Sequence, residues 1–170
     1  MPYVDDDMLQ AMAGFFAEAD AFLLGRRTYE IFAASWPKVT DPDDPIASRL
    51  NSLPKYVASR TLEDVSWEGS KLLKGDLATE VAELKQTPGR ELQVHGSGGL
   101  ARTLMQHDLI DEYRLLTYPV VLGKGKRLFA DGAKPAALNF IDHKTTSTGV
   151  GIDVYTPAGE PTYGSFELGE

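Results

Sequence analysis

The sequence contains no cysteine. The protein therefore has no disulfide, no thiolate metal ligand and no cysteine nucleophile. It also lacks any apolar run near the ~20 residues that a membrane-spanning helix requires. Its first residues, M-P-Y-V-D-D-D, carry neither the basic nor the apolar segment of a secretory signal. We therefore expect a cytoplasmic protein that does not bind membranes.

Positive charge is scarce as well. Lysine and arginine together number 17 against 25 aspartates and glutamates, and the net charge is -8. A nucleic-acid partner requires a positive protein surface, so we expect none. The histidines are His95, His107 and His143, and they lack the spacing of metal ligands. This spacing predicts no metal site.

The residues that are present have the composition of one globular domain. The chain has 170 residues, of which 42% are hydrophobic and 25% charged. In its first half, short apolar runs such as A-F-L-L and K-Y-V-A alternate with helical periodicity. Later, residues 112–122 predict one long strand with Pro119 inside it, and residues 138–147 and 150–156 predict an antiparallel pair.

This order of elements favours an α/β fold. We expect a mixed, mostly parallel sheet that ends in the antiparallel pair, with helices on both faces. After residue 157 the composition changes to glycine, proline, glutamate and serine. Residues 158–170 are therefore predicted to form a loosely held tail.

A glycine-rich turn between a strand and a helix is the clearest candidate site. The segment E-L-Q-V-H-G-S-G-G-L passes through Gly96, Ser97, Gly98 and Gly99 into a helix predicted from Leu100. Free N–H groups and the helix dipole at such a junction favour an anion, and glycine leaves room for one. The turn fits G-x-G-x-x-A, but residues 115–118 lack the acid that a doubly wound dinucleotide fold needs. The segment alone fits a phosphate site and a plain tight turn equally well.

Two other predicted strands end in similar groups. The residues concerned are Gly25, Arg26, Arg27 and Thr28 after A-F-L-L, and Ser59 and Arg60 after K-Y-V-A. Arginine offers planar, bidentate donors to phosphate, although solvated arginines on a helix surface are an equally good interpretation. Ligands of open α/β sheets bind at the carboxyl ends of the strands. The three strand ends together therefore predict one anion-binding crevice.

Four segments carry a family resemblance. They are D-A-F-L-L-G-R-R-T-Y-E, P-K-Y-V-A-S-R-T-L, H-G-S-G-G-L and D-E-Y-R-L-L-T-Y-P-V-V-L-G-K-G-K-R-L-F. In order and spacing they resemble the dihydrofolate reductase-like superfamily, and most closely bacterial proteins related to the C-terminal reductase domain of the riboflavin-biosynthesis deaminase/reductase. The resemblance implies a three-layer α/β/α domain over residues 1–157 that binds NADPH and forms homodimers.

The resemblance also implies positions for the cofactor. Residues 25–28 match the segment that holds its phosphates, Ser59 and Arg60 match the strand end beside its adenosine, and residues 96–99 match the turn over its pyrophosphate. The arginines among these residues can pair with a 2′-phosphate. We therefore predict a preference for NADPH over NADH.

The substrate side departs from the family pattern. Pro119 and Gly123 match the P-x-x-L-G element that lines it. Family members begin, however, with a further apolar strand and an S-x-D-G turn, and neither is present ahead of Met8. An open edge inside a sheet promotes aggregation. We therefore expect another chain, or residues 157–170, to fill the position of that strand.

These observations lead to one main functional hypothesis and two alternatives. The main hypothesis is an NADPH-dependent reductase, similar to 5-amino-6-(5-phosphoribosylamino)uracil reductase, that passes a hydride directly to a small pterin- or pyrimidine-like heterocycle. Such a reaction usually needs an acid. Asp6, at the start of the first predicted helix, is the candidate, unless it is simply a solvated helix residue. The alternatives are a nucleotide-binding homodimer without turnover and a true dihydrofolate reductase.

Overall fold

The structure is a computed structural model that describes residues 2–164. The α-helices are α1 (Asp6–Glu18), α2 (Arg26–Ser35), α3 (Pro45–Ser52), α4 (Leu77–Lys85) and α5 (Gly98–Gln106). The strands are β1 (Ala19–Gly25), β2 (Lys55–Ala58), β3 (Ser70–Leu73), β4 (Glu91–Val94), β5 (Tyr113–Thr117), β6 (Leu138–Thr145) and β7 (Gly151–Pro157). Within the described residues, no helix has the length and apolar character needed to cross a bilayer.

The first four strands form a parallel sheet in the order β3-β2-β1-β4. On one face, Phe22 of β1 packs in a core that contains residues of α1, α2 and α3. On the other face, Leu23 packs with residues of α4 and α5. Both side chains are almost fully buried, and burial of each contributes roughly 2–3 kcal/mol. The predicted α/β fold with helices on both faces is therefore confirmed.

The helices of this domain begin in two different ways. Asp5, Asp44 and Asp76 cap α1, α3 and α4, because each carboxylate accepts N–H groups of its first helical turn. Gly25 and Ser97 precede α2 and α5, and neither provides a side-chain cap. The N-termini of α2 and α5 therefore keep N–H groups that no side chain of the cap residue satisfies.

The last three strands form a separate antiparallel sheet in the order β5-β7-β6. The antiparallel pair was predicted, and its partner β5 is shorter than predicted. The strand lies at the edge of its sheet but ends at Thr117, so the prediction that it extends to residue 122 with Pro119 inside it is wrong. Proline has no N–H for a ladder, and the chain turns there instead, with the Val120 N–H donating to the Tyr118 carbonyl at 2.8 Å.

The seam between the two sheets is crossed by side chains. The guanidinium of Arg114 on β5 donates to both carboxylate oxygens of Glu91 on β4, at 2.6 and 3.0 Å. It also lies 4.7 Å from the centre of the Phe15 ring. Burial opposes ionisation of Glu91, but hydrogen bonds from Arg114 and Gln93 outweigh it and lower the pKa of this carboxyl. The ion pair is therefore a fixed link between the two sheets.

We expected another chain, or residues 157–170, to fill the position of the missing family strand. The seam between β4 and β5 is the gap between the two sheets. Among residues 2–164 no strand pairs with β4 besides β1, and none pairs with β5 besides β7. The described start of the tail does not fill the position either, because Ala158 and Gly159 bond to Ala137. Residues 165–170 lie outside the described residues. Within residues 2–164, the link across the seam is made by side chains and by no backbone ladder.

One charged side chain of the described core is fully buried. The ammonium of Lys55 donates to the carbonyls of Leu50 at 2.8 Å and Asn51 at 3.3 Å, at the end of α3. It also lies 4.4 Å from the centre of the Trp67 ring. Burial lowers the pKa of Lys55 to about 8, against the opposing effect of Glu68. Lys55 therefore holds the end of α3 at a cost in desolvation.

We expect the free energy of unfolding to rise between about pH 8 and pH 10.5. In this window folded Lys55 has released its proton while unfolded Lys55 still holds it, so the unfolded state binds more protons. The Lys55→Met variant lacks this titration. Urea unfolding of both proteins across the window measures the difference. A difference between them that does not change with pH would contradict the assignment.

Candidate functional site

Three neighbouring parallel strands end at the same edge of the first sheet. β2, β1 and β4 are adjacent and parallel, so their carboxyl ends lie side by side. Ser59 and Arg60 follow β2, the segment from Gly25 to Thr28 ends β1 and opens α2, and Gly96 follows β4. The structure therefore brings together the three segments in which the sequence predicted an anion-binding crevice.

Ser97 connects two of these strand ends. The Gly25 N–H donates to Ser97 Oγ at 2.9 Å, and the Ser97 hydroxyl donates to the His95 carbonyl at 3.0 Å. The Ser97 N–H donates to Thr28 Oγ1 at 3.2 Å. A Cβ on Gly25 would lie only 3.4 Å from Ser97 Cβ, and Gly96 has a φ of +56° that favours glycine. The turn is therefore fixed against the start of α2.

Two helix N-termini open at this edge with free donors. The N–H groups of residues 27–28 of α2 and of residues 98–100 of α5 have no side-chain acceptor among the described residues, whereas the Arg26 N–H belongs to the β1–β2 ladder at Gly25 and Ala58. The Ser97 hydroxyl, which could have capped α5, bonds to β1 and to its own turn instead. A Cβ placed on Gly98 or Gly99 would meet nothing within 4 Å. Open space, free donors and two helix dipoles at one place favour an anion.

The arginines of the crevice differ in their contacts. Arg26 donates to Glu30 at 2.8 Å and to Thr61 Oγ1 at 2.6 Å, and so ties α2 to the loop after β2. Arg27 and Arg60 are exposed, and neither makes a hydrogen bond or ion pair within residues 2–164. Arg27 and Arg60 are therefore the guanidiniums available for a ligand.

Ser59 has a structural contact in the described chain. Its hydroxyl oxygen accepts the N–H groups of Thr61 at 3.2 Å and Leu62 at 3.0 Å. These bonds close the turn that positions Arg60. A direct contact of Ser59 with a ligand, as the resemblance implies, stays a prediction.

The two residues predicted on the substrate side lie in different surroundings. Pro119 lies against the turn between β6 and β7, where its ring would be 3.7 Å from a Cβ on Gly149. The preceding Tyr118 donates its hydroxyl to Met8 Sδ at 3.8 Å, which places this segment beside the start of α1. Gly123 has a φ of +72° in an exposed loop, with nothing within 4 Å of its Cβ position. The structure therefore brings Pro119, and not Gly123, to the N-terminus of α1.

The acids at this N-terminus have different roles. Asp5 accepts the N–H of Met8 at 2.9 Å, the hydroxyl of Ser147 at 2.8 Å and the N–H of Thr148 at 2.9 Å. These bonds hold the pKa of Asp5 well below its usual range. Asp6 is exposed and makes no hydrogen bond or ion pair among residues 2–164. Asp5 is thus fixed as an anion, and the Asp6 carboxyl is left without a contact among residues 2–164.

A polar row at the seam was missed in the sequence. His95 Nε2 is 3.1 Å from Gln93 Oε1, and the Gln93 amide donates to Glu91. The His95 ring stacks on Phe16 at 4.5 Å, and burial, aided by the charge of Arg114, lowers the pKa of His95 to about 4. His95 is therefore neutral near pH 7. The alternation of polar residues at 91, 93 and 95 was the available signal.

Comparison with known proteins identifies the class of domain. The RibD C-terminal domain family matches residues 3–153, so the chain belongs to that family. This finding confirms the resemblance carried by the four sequence segments. It also supports a fold of the oxidoreductase type.

Two individual proteins are similar to this chain over most of its length. The chain is 33% identical over 154 residues to the uncharacterized protein YyaP of Bacillus subtilis, a match that covers 89% of this chain and 80% of that one. A putative riboflavin biosynthesis protein from Shewanella sp. PV-4 is similar in structure, with a TM-score of 0.70, 25% identity, and coverage of 91% of this chain and 81% of that one.

A more distant solved structure shares the fold. It is the diaminohydroxyphosphoribosylaminopyrimidine deaminase/5-amino-6-(5-phosphoribosylamino)uracil reductase of Thermotoga maritima, with a TM-score of 0.62 and 14% identity. The match covers 92% of this chain and 50% of that chain. The chain therefore corresponds in fold to about half of that bifunctional protein.

Proposed function

We propose that the protein is an NADPH-dependent reductase that passes a hydride directly to a small heterocycle of the pterin or pyrimidine type. The observation that carries this proposal is the pair of helix N-termini, α2 and α5, which Ser97 holds together and whose first turns no side chain caps. Membership of the RibD C-terminal domain family supports a pyrimidine reductase-like activity.

The residues of the crevice fit a dinucleotide phosphate. Two uncapped helix N-termini suit the two phosphates of a pyrophosphate, and Gly98 and Gly99 let it approach the backbone. Thr28 accepts a bond through its oxygen and keeps its hydroxyl proton to donate. Arg27 and Arg60 would meet a 2′-phosphate, which is the group that separates NADPH from NADH.

The nicotinamide supplies the hydride when the cofactor is bound. The contribution of the protein is to orient the two rings and to exclude water. For the proton, Asp5 is unsuitable because its hydrogen bonds keep it ionised, and His95 is unsuitable because it is neutral near pH 7. We propose Asp6 as the acid, because its carboxyl is the one in the first turn of α1 without a contact among residues 2–164.

The proposal is tested by NADPH consumption against a panel of pterins and pyrimidine ribityl compounds, together with thermal shift. We expect a rise in melting temperature with NADPH and turnover with at least one member of the panel. A rise without turnover on any member would instead favour a nucleotide-binding protein whose catalytic side is incomplete at the seam. No shift with either NADPH or NADH would contradict both functions.

A further inference from the structure

The edge strand β6 is unusually open. It pairs with β7 alone among the described strands, and seven of its eight residues are exposed. Phe140 and Ile141 on it are 60% and 55% exposed. Edge strands in soluble proteins are normally covered or interrupted, because their free N–H and C=O groups pair with other chains. A β-bulge at Ile141 limits the regular part of this edge to the segment that follows it.

The register of β6 fixes which backbone groups face outward. The Thr146 N–H donates to the Val150 carbonyl at 2.9 Å, and the pairing continues without a shift back to Asp142. Hydrogen-bonded and non-hydrogen-bonded pairs alternate along an antiparallel ladder. His143 and Thr145 therefore direct their N–H and C=O groups away from β7. These are the groups that a further strand would bond.

We propose that β6 pairs antiparallel with β6 of a second copy of this chain, about a twofold axis at His143. Within residues 142–144 the twofold axis can pass through Asp142, His143 or Lys144, and each choice gives a different pairing register. An axis at Asp142 sets aspartate against aspartate, and an axis at Lys144 sets lysine against lysine. The axis at His143 sets Asp142 of each copy against Lys144 of the other, so that both charge pairs are attractive.

The same register uses the exposed apolar groups. It brings Ile141, in the bulge of each copy, and the neighbouring Phe140 close to Thr145 of the other copy. Two three-stranded sheets become one six-stranded sheet, and both open β6 edges disappear. The resemblance implied a homodimer without indicating a surface. The β6 edge supplies a self-complementary one, and it does so whether or not the protein is a reductase.

A charge reversal at Asp142, and its compensation at Lys144, test the register with the axis at His143. Sedimentation velocity should find a dimer for the wild type. Asp142→Lys sets lysine against lysine at two places and should weaken the dimer at least about tenfold. The double variant Asp142→Lys, Lys144→Asp restores both attractive pairs and should dimerise again. It should not form mixed dimers with the wild type. Asp131→Lys, the same charge change on an exposed loop residue, is the matched control.

A backbone variant tests the edge independently of charge. Thr145→Pro removes an N–H that faces away from β7, so the monomer should keep its circular dichroism spectrum while the dimer is lost. A wild type that stays monomeric at tens of micromolar would overturn the proposal. So would an Asp142→Lys protein that dimerises as well as the wild type, or free exchange between the double variant and the wild type.

Discussion

Gly98→Asp should lose NADPH binding while the protein stays at least as stable as the wild type. Gly98 is the first residue of α5, has no positive φ, and leaves open space where a Cβ would lie. Aspartate at a helix N-terminus is favourable by about 0.3–1 kcal/mol, so the fold should tolerate it. Its carboxylate would occupy the place proposed for a phosphate. Repulsion at about 5 Å in a partly shielded site is worth about 3 kcal/mol, or roughly 100-fold in affinity.

The matched control is Gly98→Asn, which has the same shape without the charge. Fluorescence titration with NADPH and urea unfolding should be run on both variants and the wild type. We expect Asn to weaken binding much less than Asp. If the two variants bind NADPH equally, charge at the start of α5 does not matter and the anion site lies elsewhere.

The double variant Arg27→Ala, Arg60→Ala should bring the affinities for NADPH and NADH close together. Both guanidiniums are exposed and without partners among residues 2–164, so their removal should cost little stability. A hydrogen bond to a charged group contributes about 1.5–3 kcal/mol. Loss of two such contacts should reduce NADPH affinity roughly 100-fold or more, with NADH affinity nearly unchanged. Titration with both cofactors measures the ratio.

Two single arginine variants serve as comparisons for the double variant. Arg127→Ala removes another exposed arginine, from a loop in which it pairs only with Asp131 among the described residues, and it should leave the ratio of NADPH to NADH affinity unchanged. Arg26→Ala should act on the protein itself and not through a free ligand contact. Arg26 is held by Glu30 and Thr61, so its removal should loosen the loop after β2. A double variant that keeps the wild-type preference for NADPH would rule out a 2′-phosphate contact at these two residues.

Much of the fold could be predicted because its signals are local. The apolar run that became β1 and the aspartate that caps α4 are each read from a few neighbouring residues. The same holds for the crevice, since glycine and arginine at a strand end are visible in the sequence, and parallel strands place their ends together. The helix predicted from Leu100 begins two residues earlier, at Gly98, within the usual uncertainty of helix ends.

The remainder depends on contacts between distant parts of the chain. Ser97 bonds to Gly25, 72 residues away, and no local pattern indicates that its hydroxyl is used there and not as a helix cap. The end of β5 was missed because the apolar run continues past Pro119, although the Val120–Tyr118 turn removes it from the ladder. The link from Arg114 to Glu91 likewise joins two strands that share no hydrogen-bonded neighbour.

We expect the two sheets to differ in their protection against amide exchange. No backbone hydrogen bond among residues 2–164 joins the parallel sheet to the antiparallel one, so their ladders need not open together. Cooperative opening follows shared ladders and shared cores, and within residues 2–164 it is the parallel sheet that has a core of helices on each face. A ligand across the ends of β1, β2 and β4 would therefore slow exchange in the parallel sheet and leave β5, β6 and β7 to open at their own rate.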